Sequence, residues 1–435
     1  MIKNQTIQFQ SPEEIKAYQE EYLKDELAYL KANSKFYARM FCEHEIDIAT
    51  IKTLEDLQRI PVTTKRDLQQ HNEDFICVDK SKIIDYVTTS GTLGDPVTFV
   101  LTNDDLDRLA YNEMLSFTTA GCVGSDIIQL MTTIDRRFMA GLAYFLGARE
   151  LGSGVIRVGN GIPELQWDTI QRNKPTCCIV VPSFILKLID YAEANGIDYK
   201  NSSLKRAICI GESLRNDDFT LNTLGRKIHE RWPSLSLHST YASTEMQSSF
   251  TECENFNGGH HQPELIIVEF LNDNNQPVAE GEAGEVTITT LGVKGMPLLR
   301  FKTGDICFHT KVKCGCGRQT MRLSPVIGRK GQMIKFKGTT LYPSALYDVL
   351  DNIADVKNYI IEVYTNDLGT DSIRVVVGSD NHTDEFVKHM KDLFRSKVRV
   401  APEISFEPVE TIAKKQLPPM SRKAIKFVDY RDNSI

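Results

Sequence analysis

Between about residues 83 and 325 the chain alternates short β-rich runs with helical stretches, and this alternation restricts the fold more than any other feature of the sequence. The runs are Val155–Val158, Cys177–Val181, Ala207–Ile210 and Ser236–Tyr241, and Glu164–Arg172 and Phe184–Asn195 fall between them with helical spacing. Short strands separated by helices predict βα units around a buried, mostly parallel sheet. Residues 264–310 read differently. Leu265–Phe270, Gly284–Thr290 and Ile306–Thr310 are successive strands with Gly and Asn turns between them, which predicts an antiparallel or barrel-like subdomain. Residues 332–435 form a small α+β unit. Its strands are expected at Met333–Phe336, Val356–Tyr364, Ser372–Val377 and Ile404–Pro408, and its helices at Ser344–Asn352 and Asp384–Ser396. Gly328-Arg329-Lys330-Gly331 reads as the hinge before it. The expectation is an α/β protein with a large N-terminal domain over 1–329, which includes the antiparallel part at about 250–325, and a small mobile C-terminal domain over 330–435. At the N-terminus, Ser11, Pro12 and Glu14 predict a capped helix over 11–33 with Leu23, Leu27 and Leu30 on one face.

A chain of 435 residues with 41% hydrophobic and 25% charged residues is a globular protein of two or three folding units. Its net charge of −7 argues against a general nucleic-acid or membrane-surface binder, which needs a basic face. Met1-Ile2-Lys3-Asn4-Gln5 does not lead into an apolar signal region. The greasiest run, Cys177–Tyr191, is interrupted by Pro182 and Lys187 and is too short to span a bilayer. A cytoplasmic protein is expected. Cys42, Cys77, Cys122, Cys177, Cys178, Cys209 and Cys307 read as small core hydrophobes in a reducing compartment.

Several segments have the chemistry of a nucleotide site. Thr88-Thr89-Ser90-Gly91-Thr92-Leu93-Gly94-Asp95-Pro96 follows the strand-like run Ile83–Val87. Its glycines let a backbone approach an anion and its hydroxyls supply donors, although a plain polar hairpin turn has the same composition. It is not a Walker loop, since the Gly-Lys-Ser/Thr ending is missing. Gly211-Glu212-Ser213 follows the run Ala207–Ile210, at the end of an expected parallel strand, where ligands sit in open α/β sheets. In Tyr241-Ala242-Ser243-Thr244-Glu245, an aromatic face suits adenine, a hydroxyl suits phosphate and a carboxylate suits Mg²⁺.

Taken in order, these segments resemble the adenylate-forming enzymes, and in particular the phenylacetate–CoA ligase branch. The resemblance extends over nearly the whole chain, from Ser34-Lys35-Phe36-Tyr37, Leu54–Leu57, Ile60-Pro61 and Thr63–Leu68 through to Leu417–Ala424. It implies that Thr89, Ser90, Gly91, Thr92 and Gly94 hold the phosphates of ATP. It sets Gly211, Glu212 and Ser213 against adenine beside Tyr241, Ala242 and Ser243, with catalytic roles for Thr244 and Glu245, the latter also the Mg²⁺ ligand. Arg300-Phe301-Lys302-Thr303-Gly304-Asp305 resembles the element whose aspartate binds ribose, and Arg329 the hinge arginine that contacts the nucleotide. Lys330 is the hinge candidate, and Gly338 falls on the pantetheine path. Lys423 aligns with the catalytic lysine, with Lys426 as its competitor. The implied reaction is activation of a small carboxylic acid by ATP, followed by transfer to coenzyme A.

Some positions depart from the branch. Ala242, Asp95 and Arg422 stand where glycine, lysine and glycine are usual. Phe145 and Leu146, and Gln247-Ser248-Ser249, differ on two walls of the implied acid pocket, which puts phenylacetate itself in doubt and leaves an aromatic or medium-sized apolar acid. Cys314-Gly315-Cys316 with Cys253 and His260 makes a three-cysteine, one-histidine set suited to structural zinc, with unliganded thiols as the other reading and His261 as a substitute for His260. The same positions resemble elements of the branch. Two other functions share parts of this pattern: an adenylating enzyme that serves a carrier protein or transfers only AMP, and a non-catalytic sensor of nucleotide or acyl-CoA. A homodimer is left open.

Overall fold

Ser11 and Glu14 exchange hydrogen bonds as a capping box and start helix α1 (Pro12–Asn33), which buries Leu23, Leu27 and Leu30 as its spacing predicts. Ser34 and Thr64 cap the next two helices, α2 (Lys35–Glu43) and α3 (Lys65–Gln70). A hairpin of β1 (Ile83–Thr88) and β2 (Thr98–Thr102) follows and runs directly into α4 (Asn103–Thr119) through another capping box, Thr102 with Asp105. The computed structural model describes residues 3–89, 97–336, 339–366, 370–418 and 424–431. The chain divides into two compact units, residues 1–303 with 307–325, and residues 304–306 with 326–435.

The first unit is built on a nine-stranded sheet. Its parallel half comes from the alternating segment: β3 (Ile127–Leu130), α5 (Met139–Leu151), β4 (Gly154–Arg157), α6 (Pro163–Asn173), β5 (Cys177–Val180), α7 (Pro182–Ala194), β6 (Arg206–Ile210), α8 (Thr223–Arg231) and β7 (Ser236–Ser243). The order across this half is β4-β3-β5-β6-β7. One cluster packs Trp167 and Trp232, stacked at 5.7 Å, with Ile185, Leu188 and Ile189. A separate cluster packs Phe117, Tyr144, Ile128, Leu130 and Ile179. Each such side chain, fully buried, contributes roughly 1.5–3 kcal/mol.

After β7 the sheet turns antiparallel. β8 (Ser248–Glu252) pairs with β7, and β9 (Gly259–His260) with β8. The chain then leaves to build a second antiparallel sheet from β10 (Ile266–Leu271), β11 (Gly284–Thr290) and β12 (Phe301–Cys307). It returns as β13 (His309–Thr310) and β14 (Arg322–Leu323), which complete the large sheet beside β9. The antiparallel region expected as one subdomain is therefore shared between two sheets. The expected strand Ile306–Thr310 breaks at Phe308, whose backbone bonds with Ser324.

In the second unit, β15 (Gly328–Arg329) pairs with Asp305 and Ile306. There follow β16 (Ile334–Phe336), β17 (Thr339–Leu341), α9 (Pro343–Asp351), β18 (Asn358–Thr365), β19 (Asp371–Gly378), α10 (Asp384–Val398), β20 (Glu403–Phe406), α11 (Val409–Gln416) and β21 (Phe427–Asp429). The main sheet has the order β20-β19-β18-β21. α11 and β21 carry weak patterns and were not expected; Ile412 alone anchors α11 in the core. Among the described residues no helix is long and apolar enough to cross a membrane. Cys77, Cys122, Cys177, Cys178, Cys209 and Cys307 are buried as expected, but Cys42 is exposed.

Candidate active site

Strands β6 and β7 run parallel, with Ile210 opposite Thr240, so Gly211 and Tyr241 follow side by side at their carboxyl ends. Gly211 has φ +78°, a conformation that only glycine takes without strain. The Glu212 carboxylate accepts hydrogen bonds from the Ser183 amide at 2.8 Å and the Ser183 hydroxyl at 3.0 Å, which ties it to the first turn of α7. Ser213 donates to the Arg215 carbonyl at 3.0 Å. The backbone of this turn, rather than the Glu212 side chain, is thus what lies open to a ligand.

Four residues, Thr244 to Gln247, join β7 to β8, with Ser243 paired to Ser248. Ala242 is exposed, while Ser243, Thr244 and Glu245 are half-buried on this turn. The Tyr241 ring lies 5.9 Å from that of Phe250. Gln247 has φ +47° and is fully buried, with its carbonyl held by Arg108. Arg108, fully buried on α4, also donates to the carbonyls of Leu291 and Leu265, so one guanidinium pins three separate segments. Burial lowers its pKa to about 10 against the pull of Asp105, which leaves it charged at neutral pH. One turn later, Asn112 accepts from the Ser248 hydroxyl at 3.1 Å and the Ser249 amide at 3.0 Å. Neither Arg108 nor Asn112 was singled out from sequence, because each reads as an ordinary polar residue on an amphipathic helix.

Thr89 closes the base of the hairpin loop through bonds with Val97, from its amide to the Val97 carbonyl and from the Val97 amide to its hydroxyl, both 3.0 Å. Ser90, Gly91, Thr92, Gly94, Gly338 and Lys423 lie outside the described residues. Phe145 and Leu146 are half-buried on α5, with the Arg157 guanidinium 5.6 Å from the Phe145 ring. Within the second unit Asp305 and Arg329 are brought together by the β12–β15 pairing, at 3.0 Å. Lys330 opens a short 3-10 turn, Lys330–Gln332. Lys426 lies 3.9 Å from Asp351 and over the Tyr359 ring. Arg300, the first residue of its motif, is buried against Glu269 at 2.8 Å and is a framework residue.

Cys253, His260, Cys314 and Cys316 converge, with their ligand atoms all within 4.8 Å of one another. Cys253 Sγ is 3.6 Å from Cys314 Sγ, and Cys316 Sγ is 3.4 Å from His260 Nε2. A tetrahedral ion with Zn–S bonds of about 2.3 Å sets its ligands about 3.7 Å apart, so the donor set and its spacing fit zinc. The His260 Nδ1 atom bonds Thr320 Oγ1 at 2.9 Å, which turns Nε2 toward the sulfurs. Burial raises the Cys316 thiol, but the His260 hydrogen bond and the neighbouring Arg318 outweigh it and bring it down to about 7. Asn255 donates to both Cys253 and Cys314. His261 bonds the Ile266 carbonyl at 2.6 Å instead and does not join the cluster.

Residues 25–294 match the AMP-binding enzyme family, and the chain belongs to that family. The phenylacetate-coenzyme A ligase of Thermus thermophilus is 29% identical over 424 residues, covering 94% of this chain and 93% of the relative. The phenylacetate-coenzyme A ligase of Escherichia coli is 28% identical, covering 78% and 77%. Among solved structures, 2-hydroxyisobutyryl-CoA ligase in its postadenylation state has the same fold, with a TM-score of 0.84 at 20% identity over 98% of this chain and 91% of that one.

Proposed function

We propose that the protein is an ATP-dependent acid–CoA ligase of the phenylacetate–CoA ligase type. The observation that carries this reading is the pairing of the Gly211–Ser213 turn with the Tyr241–Glu245 turn at neighbouring ends of parallel strands, in a chain of the AMP-binding family. A carboxylate oxygen of the acid attacks the α-phosphorus of ATP. The bond to the bridging oxygen breaks, pyrophosphate leaves, and an acyl-adenylate forms. The CoA thiol then attacks the acyl carbon, AMP leaves, and the thiol proton passes to solvent.

In this reading Tyr241 stacks on adenine, with Gly211, Glu212 and Ser213 and with Ala242 and Ser243 along the ring. Asp305 and Arg329 take the ribose. Thr89, Ser90, Gly91, Thr92 and Gly94 hold the phosphates through hydroxyls and backbone amides. Thr244 adds a hydroxyl. Glu245 would hold Mg²⁺, which supplies positive charge beside the phosphates. Lys423 neutralises charge on the reacting carboxylate and phosphate; positioning and electrostatics suffice for such a transfer. Phe145, Leu146, Gln247 and Ser248 wall the acid pocket, and Gly338 lies on the CoA path. The smaller domain turns about Lys330 between the half-reactions. Cys253, His260, Cys314 and Cys316 would hold a structural zinc, which supplies a cross-link and no chemistry. The cytoplasm is the proposed setting.

ATP–pyrophosphate exchange over a panel of aryl and fatty acids, followed by CoA-dependent AMP release, tests the proposal. Exchange with at least one acid and AMP release on CoA addition are expected; no exchange with any acid would refute it. Lys423→Ala should abolish adenylation yet keep thioester formation from supplied acyl-AMP. Equal loss of both half-reactions would sink the two-state domain movement.

A further inference from the structure

A buried arginine needs a negative partner, because a guanidinium keeps its proton at any ordinary pH. Arg215 and Arg300 each have one, Glu252 and Glu269, both at 2.8 Å. Arg108 has Asp105, Glu26 and Glu264 around it. Arg318 and Arg322 are also buried, at 9% and 5% exposure. Among the described residues, neither has a carboxylate within 4.0 Å.

Both border the cluster of Cys253, His260, Cys314 and Cys316 instead. Arg318 Nη1 is 3.7 Å from Cys316 Sγ. Arg322 stands opposite His260 in the β14–β9 register, and its charge bears on His260 and on Cys314. Asn255 donates to the other two sulfurs, at 3.7 Å to Cys253 and 3.4 Å to Cys314. Every sulfur of the set thus receives an N–H, and such bonds favour a thiolate. Three thiolates and a neutral imidazole around a divalent ion carry one net negative charge. A buried anion of that kind is the partner that the two arginines otherwise lack.

The N-terminal segment holds Arg318 from the other side. Arg318 Nε donates to Gln8 Oε1 at 3.0 Å, and the guanidinium lies 5.3 Å from the Phe9 ring. The Gln319 amide donates to the Gln8 carbonyl at 2.8 Å, and Gln319 Nε2 to the Phe9 carbonyl at 3.2 Å. Gln8 is only 2% exposed.

We propose that Arg318 and Arg322 are positioning residues of the metal centre, the counter-charges of an anionic zinc–thiolate group, and that Arg318 joins the centre to the segment Ile7–Phe9, so that ion and segment hold each other in place. The inference rests on the zinc reading above. Groups that orient metal ligands alter affinity without touching the ion. Because the coupling is one of binding free energies, it runs both ways: the ion orders the segment, and the segment strengthens the hold on the ion.

The test reads metal rather than activity. The full chain is purified, its zinc is measured, and its zinc affinity is determined against a coloured chelator. Arg318→Met keeps the bulk and removes the charge; it should weaken zinc binding by about tenfold or more, with Arg318→Lys between it and the wild type. If the methionine variant does not fold, Phe9→Ala, at a ring 47% exposed, should show a smaller loss in the same direction. In the wild type, stripping the ion should speed hydrogen exchange at the Phe9, Gln10 and Gln319 amides more than at those of α7. Unchanged affinity in the folded variants, a lysine variant no better than the methionine one, or exchange at those amides that ignores the ion would overturn the inference and leave the zinc reading intact. A wild type that holds no zinc would remove both.

Discussion

The two halves of the large sheet meet at β7 and place their polar residues in opposite ways. In the parallel half the strands are mostly apolar, and the proposed site lies past their ends, on the turns that carry Gly211–Ser213 and Thr244–Glu245. In the antiparallel half the polar groups are inside. His260 lies on a strand, fully buried, and Cys253 and Cys314 are buried beside it, with Thr320 and Asn255 as neighbours. One half is a frame that presents groups to a visitor, and the other closes its groups on each other. Substitutions in the first should therefore alter activity with little change in stability, and those in the second should do the reverse.

The sharpest challenge is Glu245→Gln. Pyrophosphate exchange should fall by about 10²–10³-fold, while Tm moves by no more than about 2 °C. A collapse of Tm would show that the turn is framework after all. The converse experiment is Cys314→Ser. Purified protein should lose its zinc by metal analysis, and Tm should fall by about 5–10 °C. Full metal content with an unchanged Tm would remove the structural role. Thr320→Val probes the same centre more gently: retention of zinc against a chelator should weaken by about tenfold or more, and equal retention would mean that the His260 ring is held some other way.

A pH dependence comes from three buried carboxyls. Burial raises Glu26 to about 7, Glu113 to about 8 and Glu264 to about 7, from an ordinary 4.5. Between pH 4.5 and those values the native state holds protons that the unfolded chain has released. The proton difference is negative, so stability falls as pH rises. Tm should drop between pH 5 and pH 8, and Glu113→Gln should flatten part of that slope. A Tm that rises over this range would contradict the burial of these groups.

Much of the frame could be read from the chain. The box at Ser11 and Glu14, the runs that became β4 to β7, and most of the second unit are local patterns, and local patterns survive into structure. Ile127–Leu130 was harder: it is four residues long and includes Gln129, whose buried amide donates to Gln166 of helix α6 at 2.7 Å. The four metal-site candidates, His260 among them, were legible from their residue types and the family resemblance, and the structure leaves aside the substitute His261, whose ring bonds the Ile266 carbonyl. Within the proposed site, the motif residues could be named, yet their supports could not. Arg108 meets carbonyls 139 to 183 residues away. Arg300 finds Glu269 across two strands, and Glu212 turns out to serve a helix end. Such partners are set by topology, which no local pattern encodes.

The positions of the metal candidates along the chain have a consequence for folding. Cys253 and Cys314 are 61 residues apart and now 3.6 Å from each other, and the segment between them contains the whole of β10, β11 and β12. A zinc ion held there would close that segment into a ring for as long as both thiolates keep it, in the unfolded chain as in the folded one. By chain-entropy arguments a ring of this size restricts the unfolded ensemble by about 4 kcal/mol. The second sheet, which supplies none of the four ligands, would then be the chief beneficiary of the ion: its two ends would be fastened before its strands have found each other.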